Sequence, residues 1–184
     1  QELYIPRVRF YEGIEGVKRV YEDTLIENKA ICAFENAELM TPEMYDYIFN
    51  DYIPRRAKND LFIQVITPKN KTHIEARKQD KAFLRETRFF ATGKFPLEIE
   101  VNIYGHKTAF FSYKKEEMFG AILESPAIAN SMKAIFAFCW KFCRWFWALN
   151  PTTAHILDES RFLSVILLQL RLRYKIKKII NIKT

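Results

Sequence analysis

The adjacent residues His106 and Lys107 are the pair in this sequence whose chemistry suits phosphoryl transfer. A histidine can attack phosphorus and a lysine can stabilise the phosphoryl oxygens, provided that both side chains reach the same group. Here Gly105 and His106 predict a two-residue hairpin turn, and neighbours on a strand point to opposite faces of a sheet. The downstream aspartate that would be expected to accompany such a pair is also absent from residues 108–113. We therefore expect no catalytic site in this chain, and a phosphodiesterase with His106 as its nucleophile is the alternative.

Glu98 and Glu100 are a second arrangement with catalytic potential, because strand alternation places them on one face about 6.6 Å apart. Paired carboxylates can act as general acid and general base. Alternating glutamates on a strand more often form a solvated face, and we expect such a face for Glu98, Glu100 and Asn102. The opposite face of the same segment is apolar and consists of Leu97, Ile99, Val101 and Ile103.

Four polar residues are candidates for lining a ligand pocket at the edge of the sheet: Arg88, Asn102, Tyr104 and His106. Sugar-type ligands need convergent hydroxyl and amide partners, and these side chains supply such groups. The five glycines are not spaced as a phosphate-binding loop, and the sequence has neither a GxSxG nor an HExxH motif. We therefore expect a binding role without a cofactor.

Cysteine usage favours a reduced, cytoplasmic setting. The three cysteines, Cys32, Cys139 and Cys143, are an odd number without the spacing of a disulfide framework. Cys139 and Cys143 are four residues apart and could share a helix face, as two metal ligands do, but no second cysteine pair accompanies them. We expect them to be buried as small apolar residues and expect no metal site.

The net charge of +7 is concentrated in residues 143–184, which hold eight of the 29 basic and two of the 22 acidic residues. The rest of the chain is nearly neutral and offers no electrostatic footprint for a nucleic-acid backbone. Within this tail, the apolar run 162–170 lies between Arg161 and Arg171, and a membrane span needs about 20 apolar residues. Two interpretations remain, an interfacial membrane anchor and a non-native sequence, and we favour the second.

The order of the predicted elements is typical of an α/β domain with a mixed central sheet flanked by helices. Thr41 and Pro42 predict a helix start, with a hydroxyl cap followed by proline, and Pro54 is expected to perturb or end that helix. A polar helix is predicted over 72–84, and a closing helix after Ser125. The predicted strands are 7–11, 30–34, 61–67, 87–90, 97–104, 107–113 and 117–124.

Residues 6–25 (PRVRFYEGIEGVKRVYEDTL) resemble the start of the effector domain of TrmB-like transcriptional regulators, a short strand with an aromatic-E/G-x-x-G signature. The later order of elements also matches. Residues 120–125 (GAILES), followed by a helix with Phe136 and Trp140, resemble the closing element of that family. The resemblance covers residues 6–142 and implies a phospholipase D-like sandwich that lacks the catalytic residues.

The resemblance also implies a function. Such a domain binds a small ligand, often a sugar, and biases an attached winged-helix domain between DNA-bound and free states. We therefore expect residues 1–142 to be a ligand-sensing effector domain in a fragment that lacks its N-terminal winged helix-turn-helix, with 143–184 as an atypical tail. We expect contact with DNA only through that missing domain, self-association as a homodimer and no membrane binding.

Overall fold

The structure is a computed structural model that describes residues 5–90 and 97–149. The described strands are β1 (Arg7–Glu12), β2 (Ile31–Phe34), β3 (Ile63–Thr67), β4 (Arg85–Phe89), β5 (Glu100–Tyr104), β6 (Lys107–Ser112) and β7 (Phe119–Glu124). The described α-helices are α1 (Gly13–Glu27), α2 (Pro42–Tyr47), α3 (Ile53–Lys58), α4 (Lys71–Arg77) and α5 (Pro126–Leu149). A π-helical turn, Ile48–Tyr52, joins α2 to α3.

All of these strands belong to one sheet in the order β1-β7-β6-β5-β2-β3-β4. β2, β3 and β4 are parallel, whereas the other neighbours pair antiparallel. The chain returns to the centre with β5, where Asn102 lies opposite Ala33 of β2 on one side and Ala109 of β6 on the other. The mixed α/β sheet flanked by helices confirms the fold class predicted from the sequence.

Helices cover both faces of the central strands. On one face, α1, α2 and the π-helical turn pack over a core that includes Val20, Met44, Ile48 and Val65. On the other face, α5 packs over a second core that includes Phe34, Ile66, Val101, Phe136 and Trp140. Because both faces are covered, all five residues of β5 are buried, whichever way their side chains point.

Two local sequence features act as predicted. Thr41 caps α2, since its Oγ1 accepts a hydrogen bond from the backbone N of Met44 at 3.3 Å, and Pro42 lies in the first turn. Gly105 has a φ of +50° in the two-residue turn between β5 and β6. This left-handed conformation carries little steric cost for glycine, and it closes the hairpin.

Several predicted boundaries differ from the observed ones. β5 begins at Glu100 and not at Leu97, and α4 ends at Arg77, well before the predicted end near Leu84. Pro54 perturbs its helix without ending it, because the helix continues as α3 after the π-helical turn. Pro54 lacks the N–H that would bond to the carbonyl four residues earlier, and the irregular π-helical turn lies directly before it.

The closing helix α5 extends past the predicted domain boundary between residues 142 and 143 and is described as far as Leu149. The described residues up to Phe146 belong to one compact unit. The remainder of the predicted tail, including the apolar run 162–170, lies outside the described residues. Within the described ranges, no helix combines the length and apolar character that a membrane span requires.

Candidate ligand-binding site

Three polar side chains of β5 lie on the sheet face that α1 and the π-helical turn cover. Glu100, Asn102 and Tyr104 share this face because strand residues alternate, and their exposed fractions are 3%, 1% and 0%. The expectation of a solvated face for Glu100 and Asn102 was therefore wrong. The two side chains are buried because helices cover this face. Glu98, which precedes β5, is exposed as predicted.

The carboxyl group of Glu100 is the centre of a buried hydrogen-bonded cluster. Tyr21 of α1 donates to Oε1 at 2.7 Å, and Nδ2 of Asn102 donates to the same oxygen at 3.0 Å. Tyr113, the residue after β6, donates to Oε2 at 2.9 Å. The hydroxyl oxygens of Tyr21 and Tyr113 are themselves 2.5 Å apart. The cluster therefore ties α1 to β5 and to the residue that follows β6.

This geometry favours a protonated Glu100. The carboxyl group and the hydroxyls of Tyr21 and Tyr113 form a closed ring of three oxygen–oxygen contacts, each of which needs one proton to be a hydrogen bond. The two tyrosines supply two protons, so the third comes from a protonated carboxyl group, which then donates to one tyrosine hydroxyl while that tyrosine donates to the other. Burial, followed by the negative charge of Glu35, raises the pKa of Glu100 to about 7. The neutral carboxyl group therefore persists close to neutral pH.

A small cavity of about 30 Å³ lies beside this cluster, between the sheet and the π-helical turn. This volume admits about two water molecules, since a water needs roughly 10–15 Å³ of such space. A larger ligand therefore requires the covering helical segment to move. The polar part of the cavity wall consists of Tyr21, Glu35, Tyr52, Arg56, Glu100 and Asn102.

Two polar atoms of the cavity-lining side chains have no hydrogen-bond partner in the described part of the chain: Oδ1 of Asn102 and Nε of Arg56. Both side chains are 1% exposed. Leaving a buried polar group unpaired costs about 1–3 kcal/mol. The amide oxygen is an acceptor and the guanidinium N–H is a donor, and a hydroxyl group, which both donates and accepts, is able to bond either of them.

The charged groups around the cavity are held by bonds within the fold. Arg85 contacts Glu35 at 2.6 Å, and both side chains are largely buried. Arg56 donates to the backbone carbonyls of Leu61 and Phe83, which fixes the end of α3 against the loop before β4. Burial is the largest influence on Arg56 and lowers the pKa of its guanidinium. The site thus combines fixed charges of both signs with a neutral acid.

The segment that covers the cavity is an irregular helix. Ile48 and Tyr52, the ends of the π-helical turn, both line the cavity. Pro54 has no backbone N–H for the carbonyl four residues earlier, so the regular α-helical ladder is interrupted here. Turns of this kind are rare and occur often at functional sites. This cover is therefore the part of the wall best suited to rearrange.

The four residues predicted to line one pocket lie in separate places. Asn102 lines the cavity. Arg88 lies on the opposite face of the sheet, with its guanidinium carbon 4.0 Å from the ring centre of Trp140. Tyr104 donates to Asp23 at 3.0 Å, and His106 is exposed in the hairpin turn. Of the four, the structure brings Asn102 alone to this cavity.

The partners that complete the site, namely Tyr21, Glu35, Arg56 and Tyr113, were not among the candidates predicted from the sequence. Tyr21 lies in the apolar stripe of α1, and a tyrosine at such a position resembles an ordinary core residue. Glu35 directly follows the buried strand β2, and a carboxylate at the end of a buried strand was the one available signal.

His106 and Lys107 are not arranged for joint catalysis. His106 is exposed, whereas Nζ of Lys107 contacts Asp23 at 2.9 Å and Glu27 at 2.8 Å. His73 is buried, and its Nε2 accepts a hydrogen bond from the backbone N of Ala37 at 3.0 Å. No histidine of the described ranges lines the cavity beside Glu100, and His155 lies outside those ranges.

Cys139 and Cys143 both face the sheet from α5 and pack in the second core. Burial is the largest influence on the Cys143 thiol and raises its pKa to about 11, which disfavours the thiolate that binds metals. Within residues 5–90 and 97–149, no three or more histidine, cysteine, aspartate or glutamate side chains are grouped so as to hold a metal ion.

Comparison with solved structures identifies the fold. TrmBL2, an archaeal chromatin protein described as showing a novel mode of DNA binding, matches with a TM-score of 0.52 and 15% identity over 73% of this chain and 52% of TrmBL2. Nuc from Salmonella typhimurium, a phospholipase D family member, matches with a TM-score of 0.54 and 15% identity over 74% of this chain and 95% of Nuc. NucT from Helicobacter pylori matches with a TM-score of 0.53 and 9% identity over 74% of this chain and 97% of NucT.

The chain therefore spans about half the length of TrmBL2 and nearly all of the length of Nuc and NucT. No family model matches the sequence, and no curated protein matches it. These likenesses confirm the predicted phospholipase D-like fold, which TrmBL2 shares over the matched residues.

Proposed function

We propose that this chain is a non-catalytic, ligand-sensing effector domain of a TrmB-like transcriptional regulator. The observation that carries the proposal is the pair of unpartnered atoms on the side chains that line one cavity, Oδ1 of Asn102 and Nε of Arg56. A ligand that bonds both atoms recovers the free energy that their burial costs. A small polyhydroxyl compound such as a sugar carries the groups that this requires.

Sensing requires that a ligand favour one of two states of the domain. The cavity of about 30 Å³ is too small for a sugar, so in this proposal binding displaces residues 48–53 and stabilises the displaced arrangement. An attached winged-helix domain then responds to the position of this segment. The proposal further assigns DNA contact to that attached domain, a cytoplasmic location and a homodimeric state to the regulator.

A phosphodiesterase is the alternative function, because the chain shares its fold with Nuc, a phospholipase D family member. Two observations oppose it: His106 is exposed in a turn, and Lys107 is engaged by Asp23 and Glu27. Hydrolysis of a generic phosphodiester by the wild-type chain, abolished by His106→Ala, would establish the alternative and displace the sensor proposal.

A thermal-shift screen of the full chain against sugars, sugar phosphates and nucleotides tests the sensor function. A ligand at 100 times its Kd stabilises the fold by about 2.7 kcal/mol, which is readily measured. We expect Asn102→Ala to abolish the shift and His106→Ala to leave it unchanged. A shift that survives in Asn102→Ala places the ligand elsewhere and contradicts the proposed site.

A further inference from the structure

The outer edge of β1 is unpaired in the part of the chain that the structure describes. β1 is the first strand of the sheet and pairs only with β7. The backbone N of Gly13 donates to the carbonyl of Met118 at 2.9 Å, in continuation of the β1–β7 register. Because an antiparallel ladder alternates, the N–H and C=O groups of Arg7, Arg9 and Tyr11 face β7. The corresponding groups of Val8, Phe10 and Glu12 therefore point away from the sheet.

Apolar side chains accompany this free edge. The exposed fractions of Ile5, Val8 and Phe10 are 76%, 66% and 57%. Phe10 stacks on Phe119 of β7, with ring centres 5.3 Å apart. A sheet edge with free N–H and C=O groups beside exposed apolar side chains can pair with another strand, although β1 also carries the charged residues Arg7, Arg9 and Glu12.

We propose that β1 of a second copy of this chain pairs antiparallel with β1 about a twofold axis at Phe10, which joins the two sheets into one. This inference specifies the surface of the homodimer in the proposed function and is independent of the ligand site. A second copy is the occupant because the strand is complementary to itself in one register.

The charges along β1 and the number of residues paired disfavour the other registers. A twofold axis normal to the sheet pairs residues whose side chains face the same side. Such an axis passes midway between the two copies of one residue of the strand. An axis at Arg9 places two arginines directly opposite each other, and an axis at Val8 places Arg7 opposite Arg9; like charges in such positions are destabilising. An axis at Glu12 opposes two glutamates, and an axis at Tyr11 pairs fewer residues of the strand.

An axis at Phe10 avoids every like-charge pair. It places Val8 opposite Glu12 of the second copy and Arg9 opposite Tyr11. The two Phe10 residues form the central hydrogen-bonded pair, with Cα atoms about 5.5 Å apart. Since each Phe10 also stacks on its own Phe119, four aromatic rings line the junction.

Register-specific cysteine cross-linking of the full chain tests this interface. A Cα separation of about 5.5 Å lies within the range of a disulfide, so Phe10→Cys is expected to convert the monomer band to a linked dimer under mild oxidation. The two copies of residue 8 lie roughly 14 Å apart in this register, so Val8→Cys is expected not to cross-link. Wild-type protein, with its own free cysteines Cys32, Cys139 and Cys143, is the background control.

Light scattering on the same proteins separates the outcomes. A monomeric wild type overturns both the homodimer and the β1 interface. A dimeric Phe10→Cys protein that does not cross-link overturns the β1 interface alone, and cross-linking of Val8→Cys overturns the register. As a second variant, Phe10→Lys is expected to yield a folded monomer, because Phe10 is exposed on the surface of one copy.

Discussion

The hydroxyl groups of Tyr21 and Tyr113 lie 2.5 Å apart, and both also contact the carboxyl group of Glu100. The two tyrosines are 92 positions apart in the sequence, and folding alone brings them together. All three side chains are at most 3% exposed, so the ring of contacts depends on the protons that these groups themselves carry. This relationship links the stability of the fold to the protonation of Glu100.

We expect the stability of the wild type to fall, relative to Glu100→Gln, as the pH rises from about 4.5 through about 7. The pKa of Glu100 in the folded protein is raised from its ordinary 4.5 to about 7. A raised pKa stabilises the fold fully below the unfolded-state pKa, and this contribution is lost as the pH rises through the folded-state pKa. The loss is on the order of 3 kcal/mol, since one pKa unit corresponds to about 1.4 kcal/mol.

Urea unfolding of both proteins below and above this pH window measures the difference. Glu98→Gln is the matched control, because Glu98 is exposed and contacts Lys114 on the surface. We expect its stability to follow that of the wild type across the window. If the wild type and Glu100→Gln have parallel pH profiles, Glu100 titrates as an ordinary glutamate and the three-proton ring is excluded.

Arg56→Met should destabilise the protein on the order of 3 kcal/mol, because it leaves the buried carbonyls of Leu61 and Phe83 without their donor. Arg55→Met, at the next position, is the control. Arg55 is 40% exposed and pairs with Glu22 and Asp51, so its loss should cost about 1 kcal/mol or less. Chemical denaturation of the two variants gives the comparison, and equal losses would contradict the buried role of Arg56.

Gly16→Ala should destabilise the fold even though alanine is the better helix former. A Cβ atom at residue 16 would lie 2.7 Å from the backbone carbonyl carbon of Tyr11, so α1 or β1 must shift. Such overpacking costs about 1–3 kcal/mol, and the gain in helix propensity of about 1 kcal/mol offsets part of it. Thermal unfolding should show a net loss on the order of 1–2 kcal/mol. The exposed neighbour Glu15→Ala should change stability by less than about 0.5 kcal/mol, and a stabilised Gly16→Ala protein would refute the close approach.

Arg88→Lys should weaken the packing of α5 on the sheet. The Arg88 guanidinium stacks on Trp140 and donates to its backbone carbonyl at 2.8 Å, and a lysine ammonium does not reproduce this planar arrangement. We expect a loss on the order of 1 kcal/mol in urea unfolding. Arg77→Lys is the control and should leave the free energy of unfolding nearly unchanged, because Arg77 lies over Phe89 but is exposed. A loss of the ligand-induced thermal shift in Arg88→Lys would instead show that Arg88 takes part in ligand binding.

The sequence by itself determined the local elements and the class of fold. The helix start at Thr41 and the hairpin at Gly105 depend on a side-chain cap and on a left-handed backbone, which are properties of a few neighbouring residues. The order of strands and helices along the chain was sufficient to predict a mixed α/β sheet, because the connections between such elements follow few topologies.

Only the tertiary structure decided which faces are covered and which side chains meet. The alternation along β5 places Glu100 and Asn102 on one face, but it carries no information on whether a helix covers that face. Arg88 and Asn102 were expected in one pocket, yet β2 and β3 separate their strands, and the two side chains point to opposite faces. Strand order arises from pairing between segments far apart in the chain, so the meeting of Tyr21, Glu100 and Tyr113 exists only in the folded protein.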